Sequence, residues 1–181
     1  MGSSIPAIGN RLNALRLLPL TMRAQDLTTA QAFGELLDRH LPVSGVLVVA
    51  TSDMSHCGPY YSNQPLAGGT MTQPISDWCQ HQTRQAIDAI VSLQPELLLA
   101  RLEAGKLSLC GAGCVATTLA FARRRGASQA NLLALADSVS VAAGWRGLFT
   151  AYPHDNTLAE WSVLEQVDPD NPVGFAAFTL T

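Results

Sequence analysis

Charged side chains are scarce in this sequence. Asp, Glu, Lys and Arg make up only 14% of its 181 residues, hydrophobic residues make up 48%, and the formal net charge is −3. Such a chain can form a core easily, and we expect part of its surface to be covered by another copy or another chain, with a weakly charged monomer as the alternative. The 11 basic residues are scattered apart from the run 123–125, which argues against nucleic-acid binding.

Other absences narrow the class of protein further. No apolar run approaches the roughly 18 residues that a membrane span needs, and the first residues lack the basic-then-apolar pattern of a secretion signal. The cysteines form neither a CxxC pair nor a disulfide framework. A glycine-rich phosphate loop and a G-x-S-x-G elbow are also missing. We therefore expect a single cytoplasmic domain over 1–181, with reduced thiols and no membrane partner.

The apolar pattern predicts an α/β fold. Helices are expected at 30–39, 75–93, 95–102 and 115–124, the first of them capped by Thr28 or Thr29. Strands are expected at 15–22, 46–50, 131–136 and 173–180, with weak structure at 159–167 and an irregular start at 1–13. Because strand, helix and strand follow in quick succession, we predict a central mixed, largely parallel sheet flanked by helices.

The most informative stretch follows the apolar run 46–50. That run is typical of a buried strand, and open α/β sheets place ligand crevices just beyond such strand ends. Asp53 and His56 stand there, and an imidazole beside a carboxylate can transfer protons or bind a metal. The alternative is that Asp53 only satisfies turn backbone and His56 has no role. The long segment 52–74 has no periodicity and is expected to form a loop at the crevice.

Cys110 is the next candidate. It precedes a glycine-flanked helix start, where exposed N–H groups stabilise a thiolate, so it could be a nucleophile or a soft metal ligand. The alternative is a small residue chosen for close packing. A zinc site built from His56, Cys57, Cys110 and Cys114 would not have the usual ligand spacing, and Cys114 is expected in the core.

The positions of several other polar residues can also be predicted. His40 and His81 are expected on helix surfaces, where they would be solvated. His154 lies in a predicted loop, and Asp137 and Ser138 follow a predicted strand, so all three could approach the crevice.

Three stretches, taken in order, resemble one family. They are Ser52-Asp53-Met54-Ser55-His56, then Cys110-Gly111, and finally Pro172-Val173-Gly174-Phe175-Ala176-Ala177. With the upstream segment 15–22, they resemble the Memo-like family, which includes the AmmeMemoRadiSam system protein B proteins. The resemblance runs from about residue 14 to the end. It implies a fold similar to that of the class III extradiol dioxygenases.

The resemblance also implies roles for three residues. Asp53 and His56 match the family's D-x-x-H pair, and in the related dioxygenases a histidine in this region acts as acid/base. Cys110 matches a cysteine that can bind a metal together with two histidines of an N-terminal half. Those histidines belong to H-x-G-type and E-H-S-type segments, which this sequence lacks. The chain therefore resembles only the C-terminal portion, and Fe(II) or Cu is expected only if the missing ligands come from elsewhere.

Three hypotheses follow. The first is a binding or accessory module with a crevice lined by Asp53, His56 and Cys110. The second is a divergent, metal-dependent extradiol-type oxidoreductase with His56 as acid/base and Asp53 as its orienter. The third is a truncated, inactive remnant. Without the N-terminal strands a sheet edge would be bare, so we expect a homo-oligomer or a partner chain to cover it.

Overall fold

The computed structural model describes residues 16–67, 70–139 and 170–181. Its helices are α1 (Leu27–His40), α2 (Ile75–Val91), α3 (Pro95–Glu103) and α4 (Ala112–Arg124), with a short 3₁₀ turn at Pro59–Tyr61. Its strands are β1 (Leu66–Ala67), β2 (Thr70–Met71), β3 (Ala130–Asp137) and β4 (Gly174–Leu180). The four predicted helices and the last two predicted strands are thus confirmed, with small shifts at their ends. None of the described helices combines the length and apolarity that crossing a membrane requires.

The four helices pack on one another and form most of the core. α4 is central, because it contacts both α1 and α3, and α3 in turn contacts α2. At the α1–α4 contact, a Cβ on Gly34 would come within 2.9 Å of the Ala120 Cβ, so the close approach of the two helices requires glycine there. The buried apolar cluster comprises Ala30, Met54, Ala86, Ile87, Ala89, Ile90, Leu93, Leu98, Leu99, Leu107, Leu109, Ala112, Ala116, Leu119 and Ala130.

Both ends of α1 are capped by side chains. Asp26, rather than Thr28 or Thr29, is the N-cap: its carboxylate accepts hydrogen bonds from the Thr29 N–H and hydroxyl, each at 2.8 Å. At the other end, the Arg125 guanidinium donates to the carbonyl oxygens of Asp38 at 3.0 Å and Leu41 at 2.8 Å. Arg125 therefore satisfies carbonyls that the last turn of a helix leaves without intrahelical partners.

The predicted central, largely parallel sheet is not observed among the described residues. The structure has two sheets there, each two-stranded and antiparallel: β1 with β2, and β3 with β4. The β3–β4 ladder runs from Ala130 opposite Leu180 to Asp137 opposite Gly174, with an irregularity between Leu132 and Ala134. The expectation that 131–136 would be a buried strand is also corrected, because most of its side chains are exposed.

The two apolar runs 15–22 and 46–50 differ from their predicted strand structure. Residues 16–22 and 46–50 form no strand ladder within the part of the chain that is described. Leu17 is 82% exposed and Leu47 is 85% exposed. The physical reason is that a strand needs a neighbour to pair with its backbone groups, and no described segment provides one. The predictions for 1–13, His154 and 159–167 fall outside the described residues.

Candidate functional site

The segment 54–57 is fixed by pairing with the first residue of β4 and with the chain just before it. The Met54 N–H donates to the Gly174 carbonyl at 2.8 Å, and the Cys57 N–H donates to the Pro172 carbonyl at 3.0 Å. The Gly174 N–H donates back to the Ser55 carbonyl at 2.9 Å. Met54, Ser55 and Cys57 are buried, while the intervening His56 is only partly buried. This pairing gives the His56 backbone a defined position at the edge of the core.

The His56 ring is held by the segment that precedes α4. Its Nδ1 lies 2.8 Å from the Ser108 carbonyl oxygen, and its backbone N–H donates to the Ser108 hydroxyl at 2.9 Å. A carbonyl oxygen can only accept, so Nδ1 carries the hydrogen. The other ring nitrogen, Nε2, lies 3.5 Å from Asp53 Oδ2. The ring is therefore oriented by Ser108, and Nε2 is directed towards the carboxylate.

Cys110 is brought to the same place by the start of α4. The Gly111 N–H donates to the Ser52 hydroxyl at 2.9 Å. A Cβ on Gly111 would lie only 2.6 Å from the Thr51 carbonyl oxygen and 2.8 Å from the Ser52 Cβ, so glycine allows this close approach. The contact joins the turn that carries Asp53 to the residue that follows Cys110.

Asp53, His56 and Cys110 consequently form one cluster. A carboxylate oxygen, an imidazole nitrogen and the thiol sulfur all lie within 4.8 Å of one another. Cys110 is exposed, and the side chains of Asp53 and His56 are 50% and 18% exposed. Zinc binds such ligands at about 2.0–2.3 Å, which separates two tetrahedral ligands by about 3.3–3.8 Å. The three residues fit a metal ion after a small contraction of the cluster.

A polar network of Asn63, Gln82 and Trp78 holds the backbone of His56 in place. The Asn63 amide donates to the His56 carbonyl at 2.7 Å and to Gln82 Oε1 at 2.7 Å, while the Trp78 indole N–H donates to Asn63 Oδ1 at 3.0 Å. Asn63 thereby ties the segment 52–74, which contains the 3₁₀ turn and the β1–β2 hairpin, to α2. Sequence reasoning missed Asn63 and Ser108, because nothing in the residue pattern indicates which backbone groups they reach.

The other residues singled out from the sequence lie elsewhere. His40 and His81 are exposed, as expected, and Cys114 is half-buried rather than fully in the core. Cys57 is buried, with its thiol 3.9 Å from Gln82 Oε1. Asp137 lines a separate cavity beside α2.

Comparison with known proteins gives a consistent result. A profile of the family described as Memo-like protein matches residues 4–146. The chain is 28% identical over 135 residues to a MEMO1 family protein of Methanopyrus kandleri, covering 71% of this chain and 40% of the relative. It is 28% identical over 152 residues to one of Methanothermobacter thermautotrophicus, covering 83% and 49%, and 25% identical over 130 residues to one of Pyrococcus abyssi, covering 70% and 43%. The matched region thus spans less than half the length of each of these relatives.

Proposed function

Because this chain belongs to the Memo-like family, we propose that it is a binding module that holds one metal ion with Asp53, His56 and Cys110. The module works within a larger assembly rather than as a complete enzyme. Three side chains leave at least one coordination position of the ion open, and the remaining ligands come from another polypeptide or from the ion's own ligand.

The contact between His56 and Asp53 is the observation that carries this proposal. Since the hydrogen of a neutral His56 ring is on Nδ1, the lone pair of Nε2 faces a carboxylate oxygen at 3.5 Å. Two acceptors in that position repel each other unless a proton or a metal cation lies between them. The Cys110 sulfur lies within 4.8 Å of an imidazole nitrogen and a carboxylate oxygen of these two residues. A shared proton would not need this third ligand, whereas a metal ion would use it.

The mixed donor set suits borderline metals. A thiolate and an imidazole select Zn(II), Fe(II) or copper over Mg(II) or Ca(II), which prefer all-oxygen sites. When bound, such an ion can polarise a ligand in its open position. Ser108 and Asn63 keep the His56 ring and backbone in place, as outer partners of metal ligands commonly do.

Calorimetric titration of the purified chain with Zn(II), and with Fe(II) under anaerobic conditions, tests the proposal. We expect one ion per chain and a loss of affinity of at least roughly 10–100-fold in Cys110→Ser, His56→Gln and Asp53→Asn. Cys114→Ser and His81→Gln are matched controls that should bind as the parent does. No binding in the parent, or equal losses in the controls, would contradict it.

We also propose that a second copy of this chain covers the exposed apolar residues of 16–22 and 43–50. Within these two segments Leu17, Leu18 and Leu20 are 82%, 71% and 51% exposed, and Val43, Leu47 and Val49 are 94%, 85% and 68% exposed. Large apolar side chains exposed in such number are typical of an interface.

Light scattering coupled to size exclusion measures this directly. The parent should have twice the 19.2 kDa mass of one chain, and Val49→Lys should be a monomer. Val91→Lys, on the exposed side of α2, is the control and should remain dimeric. A monomeric parent would mean that other residues of the chain, or a different chain, cover these segments.

A second candidate function is acid/base catalysis in a metal-dependent, extradiol-type oxidoreductase. The fixed ring of His56 favours it, because a bare Nε2 held by the Ser108 hydrogen bond is suited to accept a proton. Nε2 cannot bind a metal ion and accept a proton at the same time. Loss of metal binding in His56→Gln therefore supports the binding module, whereas undiminished binding in that variant supports this alternative.

A further inference from the structure

A wide cleft opens where α1, α3 and α4 meet. Its volume is about 660 Å³, which is within the range of roughly 300–1,000 Å³ that is usual for small-molecule sites. The three residues of the candidate metal site do not line it, so the cleft is separate from that site. Its walls include Ala32 and Glu35 of α1, Glu96 of α3, and Ala120, Arg123 and Arg124 of α4.

Two consecutive arginines of α4 reach opposite walls of this cleft. Arg123 Nη1 donates to the two carboxylate oxygens of Glu96 on α3 at 3.1 and 3.3 Å. Arg124 Nη2 donates to Glu35 Oε2 on α1 at 2.8 Å. Ala120 lies one helical turn before both arginines and is only 9% exposed. Its small side chain leaves space between the two guanidinium groups.

The cleft has more hydrogen-bond donors than acceptors to offer a ligand. Both oxygens of Glu96 accept from Arg123, and the two oxygens of Glu35 accept from Arg124 and from Arg39. A guanidinium group carries five N–H donors. Within the described part of the chain, Arg123 uses only Nη1 and Arg124 only Nη2. The remaining N–H groups of both arginines can therefore bind a ligand that accepts hydrogen bonds.

The charges around the cleft favour an anion. Three guanidinium groups share two carboxylates there, because Glu35 pairs with both Arg39 and Arg124, so one positive charge is left over. Arg123 and Arg124 are 49% and 44% exposed, and ion pairs at such positions contribute little to stability. Both groups can thus turn towards a ligand at low cost. A phosphate group, with three oxygens that only accept, can bind two guanidinium groups at once.

We propose that this cleft binds a phosphorylated small molecule. The phosphate group lies between Arg123 and Arg124, above Ala120, and the rest of the molecule lies against Ala32. The volume of the cleft exceeds what a phosphate ion alone would fill, which favours a ligand with a larger body. This site depends neither on the metal cluster nor on the second copy of the chain, so its failure would leave both of those proposals intact.

An NMR titration of the metal-free, ¹⁵N-labelled chain with glucose 6-phosphate tests for binding and locates it. Glucose is the control without a phosphate, and the ionic strength is held constant in a phosphate-free buffer. We expect saturable shifts of the amide signals of Ala32, Ala120 and Arg123, no shifts with glucose, and none at His56 or Cys110. Shifts that do not saturate, or that centre on His56 and Cys110, would overturn the proposal.

Substitution of single arginines separates a defined site from general attraction to a positive charge. Arg123→Gln and Arg124→Gln should each weaken the binding of glucose 6-phosphate by at least about tenfold, because each removes charged hydrogen-bond donors from the phosphate. Arg84→Gln is the matched control: this exposed arginine on α2 does not line the cleft, and its variant should bind as the parent does. An equal loss in Arg84→Gln would overturn the proposal.

Two further variants test the charge and the shape of the site. Glu96→Gln removes a negative charge and releases Arg123, so the affinity for glucose 6-phosphate should rise by about threefold. Ala32→Tyr places a large side chain in the cleft from an exposed position of α1, so binding should weaken by at least about tenfold while urea denaturation is unchanged. Weaker binding in Glu96→Gln, or parent affinity in a folded Ala32→Tyr, would contradict a phosphate site in this cleft.

Discussion

The helical layer, formed by α1 to α4, and the two apolar segments 16–22 and 43–50 contain similar side chains, but the layer buries them and the segments expose them. Leu98 in α3 is fully buried and Leu119 in α4 is 1% exposed, whereas Leu47 is 85% exposed and Val43 is 94% exposed. A helix satisfies its own backbone hydrogen bonds, so it needs a neighbour only for its apolar face. The four helices provide such neighbours for one another. The apolar segments need a neighbour for both backbone and side chains, and no described segment of the chain provides one.

The candidate metal site lies at the boundary between these two regions. Asp53 and His56 follow the exposed segment 43–50, while Cys110 stands at the start of α4 in the packed layer. One side of the site is thus attached to the packed helices, and the other side continues from the segment that we propose a second copy covers.

Substitution of one leucine in each region gives the largest expected contrast. Leu98→Ala should lower the free energy of unfolding by about 3 kcal/mol, because it leaves a cavity in the core. Leu47→Ala should change it by less than about 0.5 kcal/mol in the isolated chain at low concentration. Urea denaturation measures both. Equal losses would show that Leu47 is buried within the chain, and the contrast between the regions would disappear.

Two arginines of the helical layer should differ in how much they contribute to stability. Arg125→Ala should cost about 2 kcal/mol, since the side chain is only 22% exposed and its guanidinium donates to carbonyls at the carboxyl-terminal end of α1. Arg39→Ala is the control: its side chain is 69% exposed and pairs with Glu35 on the same helix, so the loss should be below about 0.5 kcal/mol. A comparable loss in both variants, measured by urea denaturation, would refute the capping role.

The smallest expected effect is a pH dependence at the start of α1. Hydrogen bonds from Thr29 lower the pKa of Asp26 below its ordinary value, so its contribution to stability is complete above that value and is lost as the pH falls through the folded pKa. Asp26→Ala should therefore have a lower Tm than the parent at pH 7, and the difference should shrink below about pH 4. Thr28→Ala should show no such dependence. A Tm difference for Asp26→Ala that does not change with pH would contradict the charged cap.

The sequence was a good guide to some of this architecture and a poor one to the rest. The apolar periodicity of α2 and α4 predicted both helices, because a helix forms its own hydrogen bonds and needs only one apolar face. The runs 15–22 and 46–50 have the composition of strands, but strand structure also depends on a neighbour, which composition cannot reveal. The cap of α1 was assigned to Thr28 or Thr29 because several adjacent residues can accept the same N–H.

The candidate site shows the same division. Asp53 and His56 could be expected at a crevice from their position after a strand-like run, and the family resemblance implied that Cys110 lines the same crevice. The structure has all three in one cluster. The orientation of His56 could not be predicted, since it depends on the Ser108 backbone carbonyl, a group that every residue carries. Their roles in metal binding remain predictions.

Cobalt(II) substitution can detect the proposed metal site by absorbance, because thiolate ligation of cobalt produces a charge-transfer band. Adding Co(II) to the reduced chain should produce this band at one equivalent, and Cys114→Ser should retain it. Cys110→Ser should lose the band and His56→Gln should weaken it. Absence of the band in the parent, or its persistence in Cys110→Ser, would contradict a metal site formed by Asp53, His56 and Cys110.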